Sequence, residues 1–187
     1  MTMELVVPTL DRLPAYADAL RRGFFADNHR REASAREELA EIAADPMAFV
    51  ASLDDREAKG PPVTLPDGSR APRLPGYRRW MWSGEDFCGQ VTMRWQSGTA
   101  ALPDYCPGHI GYAVVDWQSR RGHATRALAL LLPEARALGL PYVELVTAPD
   151  NEASQKVILA NGGTLVERFR AGPAYGGREG LRFRIEL

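Results

Sequence analysis

The stretch SRRGHATRAL, residues 119–128, combines residue types that bind an anion. It follows the apolar run HIGYAVV and opens a helical pattern, so its first backbone N–H groups have no partner within the helix. The helix dipole adds positive potential at this end, and Gly122 leaves the backbone open to a bulky ligand. Arg120 and Arg121 add charge beside it. The spacing predicts a site for a phosphate or pyrophosphate.

The stretch alone leaves an alternative open, because a solvated helix start would contain the same residue types. Two other nucleotide-binding motifs are absent from the sequence. It has no glycine-rich run that ends in Gly-Lys-Ser/Thr, and no three-glycine dinucleotide fingerprint after the strand. Nucleotide-binding folds of those two types are therefore disfavoured.

The chain that positions this site has the composition of an ordinary globular protein. Its 187 residues predict one domain, 1–187, and 45% hydrophobic residues are enough for a sizeable core. The 23 basic residues nearly cancel the 24 acidic ones, which leaves no electrostatic case for a nucleic-acid partner. The N-terminus lacks a secretory pattern, and the most apolar window is broken by charge and proline. We expect a cytoplasmic protein with no membrane contact.

The cysteines and histidines indicate neither a disulfide framework nor a metal site. Cys88 and Cys106 are too few for such a framework, and their spacing fits neither a zinc knuckle nor a redox pair. We expect ordinary thiols. The three histidines are scattered without close carboxylates, so no metal is expected.

The first half of the chain predicts a strand, two helices and a hairpin. ELVVPTL is typical of a short strand and LDRLPAYADALRRGFF of a first helix. Ser34 and Glu37 form a capping-box pattern for a second helix that ends at about Ala44. Residues 59–78 are rich in proline and glycine, and LPDG predicts a hairpin tip or a flap. This segment is either an exposed loop or a cover over a substrate.

Two β-rich runs follow, YRRWMWSG and DFCGQVTMRW, separated by the turn SGED. Strand alternation in the second run predicts one polar and one largely apolar face. The polar positions are Cys88, Gln90, Thr92 and Arg94, and the apolar positions are Phe87, Gly89, Val91, Met93 and Trp95. The polar face either meets solvent or lines a pocket.

The second half of the chain alternates strands and helices. HIGYAVVDW is apolar on both faces, as expected of a central strand covered by helices. The helix GHATRALALLLPEARALG, the strand PYVELVT, the helix NEASQKVILANGG and the strands TLVERF and GLRFRIEL follow it. This order predicts an α/β fold, with a central mixed sheet and helices on both faces.

Residues 109–169 resemble the acetyl-CoA-binding core of the GNAT superfamily of N-acyltransferases. The family pattern of Arg or Gln, two residues, Gly, one residue and then Gly or Ala falls on Ser119, Gly122 and Ala124. A second pattern, Asn, two residues, a small residue and then a helix that ends in Gly, falls on Asn151, Ser154 and Gly162. The first hundred residues fit the family only in the order of their elements.

The resemblance implies a GNAT fold in which two adjacent central parallel strands, here IGYAVV and YVELVT, splay apart around the acyl group of acetyl-CoA. Backbone groups of Val114 and Val115 would pair with the pantetheine arm, and N–H groups of residues 121–125 would hold the pyrophosphate. Asn151 would contact the arm. The implied cofactor-binding residues are Val114, Val115, Arg120, Arg121, Gly122, His123, Ala124, Thr125, Asn151 and Ser154.

The sequence departs from the family pattern at two positions. Ser119 stands where Arg or Gln is usual, so other side chains within residues 118–121 are expected to take over part of its role. Ile158 stands where the family often has a tyrosine that protonates the leaving thiolate. The general acid stays open among solvent, Tyr112 and Tyr175.

Attack of an amine on a thioester requires the neutral amine, and therefore a base. His109, at the start of the central strand, is the first candidate because an imidazole titrates near neutral pH. A histidine bonded to a nearby carbonyl is its alternative. Glu144, in YVELVT, is the second candidate, since apolar surroundings raise a carboxyl pKa. Pairing with an arginine, or contact with solvent, is the alternative for Glu144.

The expected function is transfer of an acetyl group from acetyl-CoA to a primary amine of a small molecule or peptide. Direct attack in a ternary complex is favoured, because neither cysteine has a nucleophile setting. Gln90 and Arg94 are the candidates for the acceptor pocket.

Two rival interpretations stay open. One is a catalytically silent acyl-CoA-binding or interaction module with the same fold, and the other is an unrelated α/β protein that binds another phosphate ligand. The sequence does not identify the acceptor. It also leaves the oligomeric state open, a homodimer included.

Overall fold

The computed structural model describes residues 2–187. The helices are α1 (Leu13–Arg21), α2 (Arg31–Ala44), α3 (Pro46–Ser52), α4 (His123–Ala137) and α5 (Glu152–Ala160). The strands are β1 (Glu4–Val6), β2 (Asp54–Asp55), β3 (Val63–Thr64), β4 (Arg70–Ala71), β5 (Gly76–Ser83), β6 (Asp86–Arg94), β7 (Ile110–Val114), β8 (Tyr142–Thr147), β9 (Thr164–Arg170) and β10 (Glu179–Glu186). This order confirms the predicted sequence of major elements and adds α3 and the short strand β2.

The strands form two main sheets and a separate hairpin. The first sheet has the order β1-β5-β6-β7, with β2 also paired to β5, and the second has the order β8-β10-β9. β3 and β4 pair with each other, and the predicted LPDG turn is the tip of their hairpin. All pairings between the described strands are antiparallel. The strands expected to form one mixed sheet therefore form two antiparallel sheets. No parallel ladder joins β7 and β8 among the described residues.

Helices cover both faces of the strand layer, as predicted. On one face α4 and α5 pack on a cluster that includes Leu128, Leu131, Ile158, Val91 and Leu145. On the other face α1, α2 and α3 pack on a second cluster that includes Tyr16, Ala35, Phe49, Trp80 and Phe87. None of the helices within residues 2–187 is long and apolar enough to cross a membrane.

β7 and β8 meet at one point and then separate. The His109 N–H donates to the Glu144 carbonyl at 2.8 Å, and this is the single backbone hydrogen bond between these two segments in the described chain. Beyond it β7 pairs with β6 and β8 pairs with β10. The adjacent strand edges of β7 and β8 are therefore unpaired where they diverge.

A β-bulge in β6 changes the predicted faces of this strand. The register with β5 shifts so that Cys88 has no partner, and Gly89 has a φ of +148°, which a side chain rarely adopts. Phe87 consequently shares a face with Gln90 and packs in the second cluster, whereas Cys88 packs in the first. Gln90 is only 2% exposed. The expectation of strict alternation from residue 87 was wrong at the bulge.

The predicted capping box is also wrong, although the end of its helix is correct. Ser34 lies inside α2, where its hydroxyl donates to the Arg31 carbonyl at 3.0 Å. Glu37 forms an ion pair with Arg30 instead of capping the helix. α2 ends at Ala44, as predicted, and the next residue is a cap for α3.

Candidate active site

The start of α4 has the features of an anion site. Gly122 is its N-cap, has a φ of +78°, and places no side chain on the first turn. No side chain of the described residues caps this end of the helix, and a Cβ at Gly122 would meet none of their atoms within 4 Å. The unpaired N–H groups and the dipole of α4 therefore face open space.

Charged and polar groups surround this helix start. Arg120 and Arg121 are exposed, and Arg120 has a positive φ of 61°. His123 Nε2 is buried without a hydrogen-bond partner among the described residues. Burial, and the nearby charge of Arg121, lower the His123 pKa. The ring is therefore neutral at physiological pH and leaves the positive charge to the arginines.

The two valines before this loop have different environments. The Val115 N–H donates to the Cys88 carbonyl at 3.0 Å, its carbonyl accepts from the Gln118 N–H, and its side chain is fully buried. Val115 therefore has no group left for a ligand, contrary to the expectation from the sequence. Because backbone groups alternate along a strand, those of Val114 face the gap between β7 and β8.

The N-terminus of α5 contacts β7 through Ser154. The Asn151 side chain accepts a hydrogen bond from the Ser154 N–H at 3.1 Å and so caps the helix. Tyr112, which projects from β7, brings its hydroxyl to 2.8 Å from the Ser154 Oγ. Burial raises the pKa of Tyr112 to about 12, so its hydroxyl is protonated at neutral pH.

The C-terminal end of α5 is held against the first turn of α4 by a hydrogen bond. The Asn161 side chain donates to the Thr125 carbonyl at 3.1 Å, which joins the end of α5 to the first turn of α4. Ile158 is 1% exposed and packs in the cluster under both helices. A tyrosine at position 158 would need room in this core, whereas Tyr112 reaches Ser154 from the strand.

His109 is enclosed at the junction of β7 and β8. Its Nδ1 accepts from the Glu144 N–H at 3.0 Å, and its Nε2 lies 3.1 Å from the Ala100 carbonyl. Since a carbonyl only accepts, Nε2 carries the proton and neither ring nitrogen has a free lone pair. Burial lowers the His109 pKa, and the residue is 1% exposed. This geometry contradicts the base role expected for His109 and matches its structural alternative.

Glu144 is held by two arginines rather than free to act as a base. Its Oε1 lies 2.7 Å from Arg184 Nη2, and its Oε2 lies 3.9 Å from Arg182 Nε. The hydrogen bond that Arg184 donates to the Glu144 carboxylate raises the pKa of Arg184. The geometry matches the alternative of an arginine-paired Glu144 and does not support the catalytic role.

Gln90 and Arg94 lie on the face of the first sheet that carries α1 and α2. Gln90 Nε2 donates to the Ala26 carbonyl at 3.3 Å. Arg94 places its guanidinium over Gly111, because a Cβ on this glycine would lie 3.0 Å from Arg94 Nη2. Arg94 therefore lies on the face of β7 opposite to the Tyr112 side chain, which reaches Ser154.

A family model described as an acetyltransferase (GNAT) domain matches residues 31–164, which is more than half of the chain. The chain belongs to the GNAT acetyltransferase family. This match extends the resemblance well before residue 109, where the sequence fits only in the order of elements. None of the curated proteins matches the sequence.

Solved structures of low sequence identity share this GNAT fold. A putative ribosomal-protein-serine acetyltransferase from Vibrio cholerae aligns with a TM-score of 0.60 at 18% identity, over 99% of this chain and 94% of its own. The microcin C7 self-immunity acetyltransferase MccE, in complex with acetyl-CoA and AMP, has a TM-score of 0.64 at 12% identity, over 99% and 92%. The ribosomal L7/L12 alpha-N-protein acetyltransferase RimL, in complex with coenzyme A, has a TM-score of 0.62 at 13% identity, over 100% and 95%.

Sequence reasoning named most residues of this region but missed how they pair in the GNAT fold. The reciprocal bonds between His109 and Glu144 join residues far apart in the chain, and no local pattern signals them. The contact between Tyr112 and Ser154 is predicted only in part by the sequence. Strand alternation puts Tyr112 and Val114 on one face and Gly111 on the other.

The enclosed His109 predicts a stability effect at mildly acidic pH. The lowered pKa keeps the folded ring neutral, whereas the unfolded ring takes a proton below about pH 6.5. The neutral His109 ring therefore makes its full contribution to the free energy of unfolding above pH 6.5. This contribution declines as the pH falls below 6.5, by at most about 1.4 kcal/mol per pH unit. In urea unfolding from pH 8 to pH 5, His109→Gln should show a shallower loss of stability than the parent chain. Parallel curves would contradict this role.

Proposed function

We propose that this GNAT protein is an N-acetyltransferase that moves an acetyl group from acetyl-CoA to a primary amine of a small molecule or peptide. The observation that carries the proposal is the start of α4. It is an uncapped helix N-terminus at a glycine with open space around it, next to the unpaired edge of β7. MccE with acetyl-CoA and RimL with coenzyme A support the same donor.

The proposed binding mode uses the backbone at two positions. The N–H groups at the start of α4 hold the pyrophosphate, with charge from Arg120 and Arg121 and a hydrogen bond from the neutral His123. The free backbone groups of Val114 pair with the amides of the pantetheine arm, as an added strand would. The thioester then lies in the gap between β7 and β8.

The reaction is direct attack by the amine nitrogen on the thioester carbonyl carbon. The C–N bond forms, the C–S bond breaks, and the amine loses one proton. His109 and Glu144 are both engaged in other contacts, so we propose that water receives this proton. An α-amino group, with a pKa of about 7.7–8.0, is roughly half neutral at pH 8, whereas a lysine amine near about 10.4 is almost fully charged. The preferred acceptor is therefore an amine of near-neutral pKa.

Tyr112 is the proposed donor to the leaving thiolate. Its hydroxyl stays protonated because burial raises its pKa to about 12. Full transfer to a thiolate whose conjugate acid has a pKa near about 8.5 would be uphill by about 5 kcal/mol. We therefore propose that Tyr112, together with Ser154, stabilises the thiolate by hydrogen bonding. Water then supplies the proton that completes the free thiol.

The first test is the binding of CoA to Gly122→Glu. A carboxylate at this helix start would repel the pyrophosphate, so affinity should fall at least about a hundredfold in calorimetry. Gly139→Glu is the matched control, since Gly139 has a φ of +80°, has open space around it, and lies at the other end of α4. Equal affinity in the two variants would remove the proposed pyrophosphate site.

The second test is turnover with a panel of amines, followed by release of free thiol from acetyl-CoA. Without an enzyme base, the rate should rise with pH and follow the pKa of each amine, so that peptides with a free α-amine outpace lysine side chains below pH 8. A common inflection for every amine would indicate an enzyme base instead. Binding of CoA without turnover on any amine would favour the silent acyl-CoA-binding module.

The third test is Tyr112→Phe, with Ser154→Ala as its partner variant. Loss of one hydrogen bond to a charged sulfur should lower kcat about tenfold to a hundredfold. The dissociation constant of acetyl-CoA should change much less, because the hydroxyl acts on charge that develops after binding. An unchanged kcat in Tyr112→Phe would show that the Tyr112 hydroxyl does not stabilise the leaving thiolate.

A further inference from the structure

Arg94 carries a positive charge that the described part of the chain does not balance. Its guanidinium makes no ion pair or hydrogen bond with the described residues, and its Nε is buried without a partner. Other half-buried arginines nearby are paired, such as Arg78 with Glu38 and Arg184 with Glu144. Keeping a partly desolvated cation unpaired is costly unless a ligand supplies the missing anion.

The position of this charge relates it to the gap in the sheet. Gly111 makes room for the guanidinium, since a Cβ there would lie 3.0 Å from Arg94 Nη2 and 3.2 Å from Thr92 Oγ1. Gly111 is two residues beyond His109, where β7 has already left β8. The next residue, Tyr112, faces the other way toward Ser154. The Arg94 guanidinium, which reaches over Gly111 from β6, and the Tyr112 hydroxyl therefore lie on opposite faces of β7.

The neighbours of Arg94 supply no negative charge. Burial raises the pKa of both Cys106 and Tyr175, and the charge of Arg94 opposes this only in part. Both groups are therefore neutral at physiological pH. Asp27 is the acidic residue that acts on the pKa of Tyr175, and its Oδ1 accepts from backbone N–H groups of its own turn. No carboxylate within residues 2–187 forms an ion pair with Arg94.

A second unsatisfied group lies on the same face of β6. Gln90 is 2% exposed, and its Oε1 has no hydrogen-bond partner within residues 2–187. Its amide nitrogen donates to the Ala26 carbonyl, which leaves the oxygen as an acceptor. Gln90 and Thr92, the residue beside the guanidinium, are about 7 Å apart along the strand. This is the scale of an amine and a carboxylate within one small molecule or short peptide.

We propose that the acceptor is an amine that also carries a carboxylate, which binds Arg94 while the Gln90 carbonyl accepts a hydrogen bond from the amine. The transfer step of this inference rests on the proposed function, but the binding step does not. The carboxylate and the thioester approach the gap from opposite faces of β7. The acceptor and the acetyl-CoA donor are then bound by different residues.

The experiment compares peptide amides that differ only in one charge. The pairs carry aspartate or asparagine at the first position, or glutamate or glutamine after an N-terminal alanine. Calorimetry on the CoA-saturated protein measures binding, and thiol release measures transfer. We expect the carboxylate peptides to bind about tenfold to a hundredfold more tightly than their carboxamides. They should also show a correspondingly lower KM.

Arg94→Gln should equalise the members of each pair, and Arg94→Lys should retain part of the preference. Arg168→Gln, which removes one exposed charge from β9, is the matched control and should preserve the full preference. Unchanged affinity of Arg94→Gln for CoA reports that the variant is folded.

Three outcomes separate the inference from the proposed function. Equal acetylation of acidic and amide peptides would overturn the inference while the acetyltransferase stands. Selective binding of the carboxylate peptides through Arg94 without transfer would support the inference while the proposed function fails. Stronger binding of a matched phosphoserine peptide would assign the pocket to phosphate and overturn the carboxylate.

Discussion

The junction between β7 and β8 is the constraint on which the candidate site depends. His109 and Glu144 bond to each other twice, once between backbone groups and once through the imidazole. A Cβ at Gly108 would come within 3.0 Å of the Glu144 carbonyl, so the two chains approach closely there. Beyond the junction both strands pair only with their outer neighbours. Strand edges left unpaired in the interior favour a ligand that supplies hydrogen bonds of its own.

The strand alternation of β7 divides the site into two chemically different faces. Tyr112 reaches Ser154 on the face covered by α4 and α5, and Gly111 leaves room for Arg94 on the face covered by α1 and α2. The first face combines a helix dipole with a protonated hydroxyl. The second combines a cation with an unsatisfied amide oxygen on Gln90. In the proposed function, this separation lets the donor and the acceptor approach one gap without competing for the same side chains.

The enclosure of His109 and Glu144 affects both stability and chemistry. The imidazole bridges the Glu144 N–H and the Ala100 carbonyl, and a polar group that is buried without a partner costs about 1–3 kcal/mol. The same bonds use both nitrogens, so the ring cannot accept a proton from a substrate without breaking them. A residue type suited to acid–base catalysis thus acts here as part of the framework.

The sequence by itself determined the order of the major elements and the glycine-led start of α4, because periodicity and helix-end chemistry are local. Local patterns failed where a contact elsewhere overrides them, as at the bulge beside Gly89 and at Ser34 inside α2. Only the tertiary structure decided that both ring nitrogens of His109 are hydrogen-bonded, that Tyr112 reaches Ser154, and that Arg94 has no ion-pair partner among residues 2–187. Each of these depends on groups brought together from distant parts of the chain, and residue type alone does not specify which partners meet.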